Sequence, residues 1–153
     1  MARVTLNIAK SYKEGFIKQI EKSQFFQLHK NVTTRTDLYC FAIALCAKEG
    51  KEPTPIQNVG TTDSFVRTEF LTNCEPLLLS VFYEDKLKDD IDSIDQICNK
   101  DEVYGLVEKY ANTGFGILEN AIDKFDEETL LFKLIADMDK EYEEIHEEVE
   151  SLI

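Results

Sequence analysis

An apolar run near the centre of the chain constrains the fold most. The residues from Leu38 to Ala47 include no charged side chain and are apolar nearly all the way round a helix. A helix that is apolar on every side must be covered on every side, so this run predicts a central, buried helix. Thr34 or Thr36 is suited to cap its start, and Gly50 follows Lys48 at its predicted end. The rest of the chain must supply a shell around it.

Apolar periodicity predicts that this shell is also mostly helical. Helical spacing is found in four further segments of the first 122 residues, at roughly 10–28, 64–73, 75–88 and 100–121. A proline-containing loop is predicted over 51–64 and an acidic turn or short helix over 89–99.

The expected fold is mainly α. It is a compact five-to-six-helix domain with one short N-terminal strand or extended arm and a long C-terminal amphipathic helix. We place the helical domain at residues 1–122 and the acidic C-terminal helix at 123–153. Gly114 and Gly116 interrupt a helical pattern, and they mark either a kink or a close approach of another backbone.

The N-terminus alternates polar and apolar residues with period two, as a two-faced strand does. Val4, Leu6 and Ile8 are expected to face a core, and the polar residues to face outward. A short strand followed by two helices is the layout of a ribbon-helix-helix unit, in which the strands of two chains pair and lie in the major groove of DNA. The alternative is an ordinary edge strand of a sheet.

The ribbon hypothesis identifies candidate DNA-binding residues. Arginine and asparagine can make bidentate contacts to guanine and adenine, and threonine can contact a base or a methyl group. A helix N-terminus with a nearby cation can hold a phosphate. The candidates are Arg3, Thr5, Asn7, Lys10 and Arg35.

The last segment is the most regular. Apolar residues recur at alternating steps of four and three from residue 131 to residue 152, which is a heptad seam. The seam consists of Leu131, Ile135, Met138, Tyr142, Ile145, Val149 and Leu152. It predicts an oligomerisation helix, a partner-binding helix or a helix packed on its own domain. Its acidic outer face disfavours a parallel homodimer and favours antiparallel pairing or a basic partner, because like charges repel.

Charge is distributed unevenly along the chain. The total is −13, but residues 1–60 carry +4, residues 61–118 carry −7 and residues 119–153 carry −10. This asymmetry indicates either a basic end that meets an anion or simply acidic helices that keep the protein soluble.

Several classes of function find no support in the sequence. No apolar run approaches the roughly 18 residues that span a bilayer, and no signal peptide is evident, so we expect a cytoplasmic protein without membrane contact. Phosphate-binding glycine loops, zinc spacings and nucleophile elbows are missing. The acidic cluster over 84–95 lacks the pattern of a calcium loop. We therefore expect no enzymatic activity, no metal and no cofactor, although a site assembled from distant residues stays open.

The order of features resembles one known family. The similarity consists of the start at Arg3 and Leu6, the apolar helix over 38–45, Phe65-Val66-Arg67 after a proline-bearing loop, and Asn112-x-Gly114. The chain resembles, over roughly residues 1–122, the DndE family of bacterial DNA sulfur-modification proteins. The resemblance implies a helical protein that assembles from several subunits and contacts DNA. The acidic residues 61–153 and the heptad tail depart from the family pattern.

Two functional hypotheses follow. The first is a non-enzymatic subunit of a bacterial DNA-associated system, either DNA sulfur modification or phage defence, that contacts DNA or a DNA-bound partner through its basic N-terminal part. The second is an acidic protein–protein interaction module, an adaptor or an inhibitor, without nucleic-acid binding. The expected partners are DNA in the first hypothesis and, in both, a further copy of the chain or another protein.

Overall fold

The computed structural model describes residues 3–22, 35–55, 60–124 and 127–152. Helices account for 77% of the interpretable residues, so the fold is mainly α as the periodicity predicted. The chain divides into two compact units, residues 1–118 and 119–153, and the division lies within a long helix. In chain order the elements are β1 (Thr5–Ala9), α1 (Lys10–Glu14), α2 (Phe16–Lys22), α3 (Arg35–Glu49), β2 (Thr62–Arg67), α4 (Glu75–Phe82), α5 (Lys100–Lys124) and α6 (Glu127–Ser151). Between them, Thr68–Cys74 and Ile91–Cys98 form 3-10 helix, and the wider π turn Tyr83–Leu87 continues α4.

Helix α3 is the central, buried helix that the apolar run predicted. It begins at Arg35, so Thr36 lies inside the helix and does not cap it, while Thr34 lies outside the described residues. Gly50 follows the last helical residue with a φ of 64°, a left-handed conformation that glycine adopts without steric cost. The buried side chains of α3 are Leu38, Tyr39, Cys40, Ala42, Ile43, Leu45 and Cys46.

The predicted helix over 10–28 is broken near its start. Gly15 separates α1 from α2, with φ −96° and ψ −114°, well outside the helical region. A Cβ at this position would lie 2.8 Å from the carbonyl oxygen of Ser11, so only glycine fits without a shift. Residues 23–28 of the predicted helix lie outside the described part of the chain.

The predicted helix over 64–73 is wrong in its first half, because residues 62–67 form β2. This strand pairs antiparallel with β1, and the register skips Phe65, which forms a bulge. Phe65 and Val66 are consecutive and both buried, which a regular strand with alternating faces does not allow. Two adjacent apolar residues resemble part of a helical stripe, and the pairing partner lies more than fifty residues away in the chain.

Helix α5 crosses α3 at Gly114, the first of the two glycines that interrupt its helical pattern. A Cβ at Gly114 would lie 1.8 Å from the carbonyl oxygen of Ala42, so the two backbones are in direct contact there. Gly114 therefore marks a close approach of another backbone, one of the two expected possibilities. Phe115 follows it and packs against Phe65 and Tyr39, with ring centroids 5.7 Å and 6.0 Å away.

Candidate functional site

The outer edge of β1 is covered by polar side chains of α5. On the edge that faces away from β2, the backbone N–H of Asn7 donates to Glu108 Oε2 at 2.7 Å. The backbone N–H of Ala9 donates to Asn112 Oδ1, also at 2.7 Å. Asp101 Oδ1 accepts the backbone N–H of Arg3 at 3.0 Å. These three α5 residues are seven and four positions apart, so they share one face of the helix. One helical face thus takes the place of a third strand.

Glu108 is a buried carboxylate, with 2% of its surface exposed. Its Oε1 lies 3.2 Å from a guanidinium nitrogen of Arg3, which supplies the opposite charge that a buried carboxylate requires. Tyr39 lies in the same polar network and donates its hydroxyl to the carbonyl oxygen of Asn7. Burial, followed by the nearby charge of Glu108, raises the pKa of Tyr39 well above 10.0 and keeps this hydroxyl protonated as a donor.

Both edges of β1 are therefore occupied within one chain. The strand pairs with β2 on one side and is bonded by α5 on the other, so it does not offer the free edge that a ribbon between two chains requires. The expectation of Val4 in the core is also wrong: Val4 precedes the first strand residue and is 60% exposed. Leu6 and Ile8 are buried as predicted.

The cationic candidates for DNA contact are held in ion pairs within the chain. Besides the pair between Arg3 and Glu108, Arg35 Nε lies 2.8 Å from Glu21 Oε1. The Arg35 guanidinium also lies 5.2 Å from the centroid of the Phe65 ring. Lys10 is half exposed and lies 3.7 Å from Glu14. Each of the three cations thus has a carboxylate partner within the chain, and contact with DNA stays a prediction.

The two polar candidates on β1 differ in accessibility. Thr5 is exposed, and its side chain is free to face solvent. Asn7 is half-buried, and its backbone is committed to Glu108, Asn112 and Tyr39.

Helix α6 presents the second candidate surface. Four seam residues at heptad spacing are exposed: Tyr142 by 69%, Ile145 by 60%, Val149 by 49% and Leu152 by 85%. We call these four residues the exposed seam. The side chains of the other predicted seam residues, Leu131, Ile135 and Met138, lie outside the described part of the structure. Exposed apolar side chains in a row on one helix face are typical of an interaction surface.

The seam includes a stacked pair of rings, and acidic side chains surround it. The Tyr142 ring stacks on the His146 ring at a centroid distance of 6.0 Å and an interplanar angle of 5°. His146 Nε2 lies 3.2 Å from Glu150. The other described side chains on this part of α6 are exposed and mostly acidic.

The buried cysteines are poor nucleophiles. Burial raises the pKa of Cys46 to about 11, and burial together with a hydrogen bond to Cys74 raises the pKa of Cys40 further, so both thiols are protonated near neutral pH. Within the described residues, no group of three or more histidine, cysteine or acidic side chains could hold a metal ion.

A cavity of about 400 Å³ lies between the 3-10 helix over 68–74, α4 and α5. Most of its lining is apolar, including Leu71, Leu78 and Val103, and its exposed polar residues include Glu75 and Lys100. Thr72, the exposed Cys98 and Tyr104 complete its polar lining.

Comparison with protein-family models, with curated proteins and with solved structures finds no match for this chain. None of the helices in the described ranges combines the length and apolar character needed to cross a membrane.

Sequence reasoning missed Glu108 and assigned no role to Asn112 beyond the family resemblance. Both residues interrupt an otherwise apolar stripe of α5 that includes Val107, Ala111 and Phe115. A polar residue at a core position of an amphipathic helix is the pattern that could have identified them, because such a group must find a buried partner.

Proposed function

We propose that the protein is a non-enzymatic interaction module that binds a partner protein through the exposed seam of α6. The observation that supports this proposal is the row of large apolar side chains, exposed by between 49% and 85%, at the heptad spacing of a coiled-coil contact. A helix of this kind gains most of its stability from packing of its apolar face, so the seam requires a cover.

The first unit serves this function as a scaffold. The described part of residues 1–118 contains a continuous core and satisfies its buried polar groups, with no buried side-chain nitrogen or oxygen left without a hydrogen bond. Its exposed large apolar side chains, within that described part, are Val4, Phe70 and Ile94, which do not recur at heptad spacing as the α6 residues do. The polar network at β1 is engaged internally.

A DNA contact receives less support from the geometry than a protein contact. If Arg3 turned towards DNA, it would leave the 2% exposed carboxylate of Glu108 without its ion partner, and removing one partner of a buried pair is costly. Arg35 would have to exchange Glu21 and the Phe65 ring for a phosphate. The role in a DNA-associated system, and the resemblance to the DndE family, therefore enter this proposal only as a possible setting for the partner.

The proposal is tested by purifying tagged full-length protein from its own cells and comparing matched variants. The seam variant Ile145→Gln/Val149→Gln removes apolar surface, whereas Glu143→Gln/Glu147→Gln changes the outer face of the same helix. We expect wild type and the outer-face variant to co-purify with the same stoichiometric partner and the seam variant to lose it. A seam variant that retains this partner would overturn the proposal.

A gel-shift series with duplex DNA on the same wild-type protein addresses the alternative. Binding through phosphates weakens steeply as salt rises. A protein–DNA complex at low salt that the seam variant also forms would favour the DNA-contact hypothesis. If no such complex formed at low salt, the hypothesis of direct DNA contact would be wrong.

A further inference from the structure

The chemistry of the seam's surroundings specifies its partner more closely. Residues 139–152, which we call the acidic segment, contain seven acidic residues and one lysine. Apart from Glu141, whose side chain is not described, every side chain in this segment is exposed. Charge and apolar seam therefore lie on the same stretch of α6.

The acids of this segment are poorly compensated within the helix. Among the described side chains of the segment, Lys140 lies 4.0 Å from Glu144, and the imidazole of His146 lies 3.2 Å from Glu150. Acids also stand four residues apart, as Glu143 and Glu147 do, and such like-charged pairs destabilise a helix. The last turn contains no basic residue, although the negative end of the helix dipole favours cations there.

The heptad places acids directly beside the seam. With Tyr142 and Val149 at the first seam position and Ile145 at the second, the flanking positions are occupied by Asp139, Glu141, His146 and Glu148. These positions form the interhelical salt bridges that select the partner and its orientation in coiled coils. Three acids and one histidine at the flanks call for cations on the opposing helix.

A second copy of the chain would not supply those cations. It would bring the same acidic segment, with a net formal charge of −6, to the same boundary. Like charges placed across an interface disfavour the complex and exclude wrong partners. Both a second copy of the chain and a basic helix could cover the apolar seam, but only the basic helix would avoid repulsion between like charges.

We propose that the exposed seam binds a basic amphipathic helix of another protein, with apolar residues at heptad spacing and lysine or arginine at the flanking positions. This inference rests on the proposed function. In the complex, apolar residues of the partner cover Tyr142, Ile145 and Val149, and its cations face Asp139 and Glu148. Pairing of these charges offsets the repulsion within the acidic segment.

Two synthetic peptides of about three heptads test the inference against the full-length chain by isothermal titration calorimetry. Both peptides have the same apolar seam and differ only in having lysine or glutamate at the flanking positions. We expect the lysine peptide to bind, with an affinity that falls at least about tenfold when salt is raised to about 1 M, where charges are screened within a few ångströms. We expect no binding of the glutamate peptide.

Chain variants separate seam from charge. Ile145→Gln/Val149→Gln should weaken lysine-peptide binding by about tenfold or more, which is the size expected for anchors of an interface. Asp139→Asn/Glu148→Gln should weaken it by a smaller factor of about threefold, because each exposed charge pair contributes less than a buried anchor. The outer-face variant Glu143→Gln/Glu147→Gln should bind with nearly wild-type affinity.

The possible failures are distinguishable. Equal binding of both peptides, no binding of either, or a stable dimer of the chain alone in sedimentation equilibrium would overturn the basic-helix inference. If the lysine peptide bound the seam variant as tightly as it binds wild type, charge alone would attract the peptide. The proposed function itself would then fail.

Discussion

Helices α5 and α6 are both 25 residues long and amphipathic, yet their apolar faces meet different surroundings. In α5, Val107 and Phe115 are fully buried, and even the carboxylate of Glu108 is enclosed and paired. In α6, Ile145 and Val149 are exposed among acids. The difference teaches that an amphipathic pattern specifies that a helix needs a partner, and not whether that partner belongs to the same chain.

The largest expected effect concerns the crossing of α5 over α3. Gly114→Ala should lower the free energy of unfolding by about 4 kcal/mol or more, because the new Cβ would overlap the Ala42 carbonyl and the two backbones would have to separate. Gly105→Ala is the matched control in the same helix, since nothing lies within 4 Å of its Cβ, and it should stabilise by up to about 1 kcal/mol. Urea unfolding of both variants measures the difference, and equal stabilities would contradict the close crossing.

Replacing one isoleucine in each unit compares how strongly the two units depend on burial of apolar side chains. Ile43 in α3 is fully buried and Ile145 in α6 is 60% exposed. Ile43→Ala should cost about 3 kcal/mol through lost burial and a cavity, whereas Ile145→Ala should change stability by less than about 0.5 kcal/mol. A comparable loss for both in thermal unfolding would mean that α6 is covered in the free protein.

The polar cover of β1 provides a smaller effect. Glu108→Ala removes the acceptor of the Asn7 N–H and the ion partner of Arg3, and it should cost about 2 kcal/mol. Glu102→Ala on the same helix is exposed and should be nearly neutral. Hydrogen exchange of the Asn7 amide should accelerate in the first variant only, and an unchanged rate would indicate that α5 does not protect this edge.

The smallest effect is a shift in the titration of one surface carboxyl. Lys13 Nζ lies 2.9 Å from Asp63 and holds the pKa of that carboxyl below its usual 3.8, through a hydrogen bond and through its charge. Because the folded-state pKa is the lower one, the stabilisation is present above pH 3.8 and is lost as pH falls through the folded-state value.

Lys13→Met should raise the Asp63 pKa towards 3.8, measured by carboxyl resonances in NMR, whereas Lys10→Met should shift it less. An unchanged Asp63 titration in the Lys13 variant would mean that the two side chains are not paired in solution.

The sequence by itself determined the elements whose evidence is local. The run over 38–47 is apolar on all sides, and the steps of four and three over 131–152 are those of a helix, so α3 and α6 could be predicted from the chain. Gly114 and Gly116 indicated either a kink or a close approach of another backbone, and the structure shows a close backbone approach at Gly114.

Only the tertiary structure decided the features that join distant residues. Strand β2 exists because β1 pairs with it across more than fifty residues, and a bulge at Phe65 disguises its alternation. Glu108 is stable as a buried carboxylate because folding brings Arg3 and the Asn7 amide to it across more than a hundred positions. Local periodicity contains no record of such long-range pairs, so the sequence indicated where apolar faces lie and the fold decided which of them the chain covers itself.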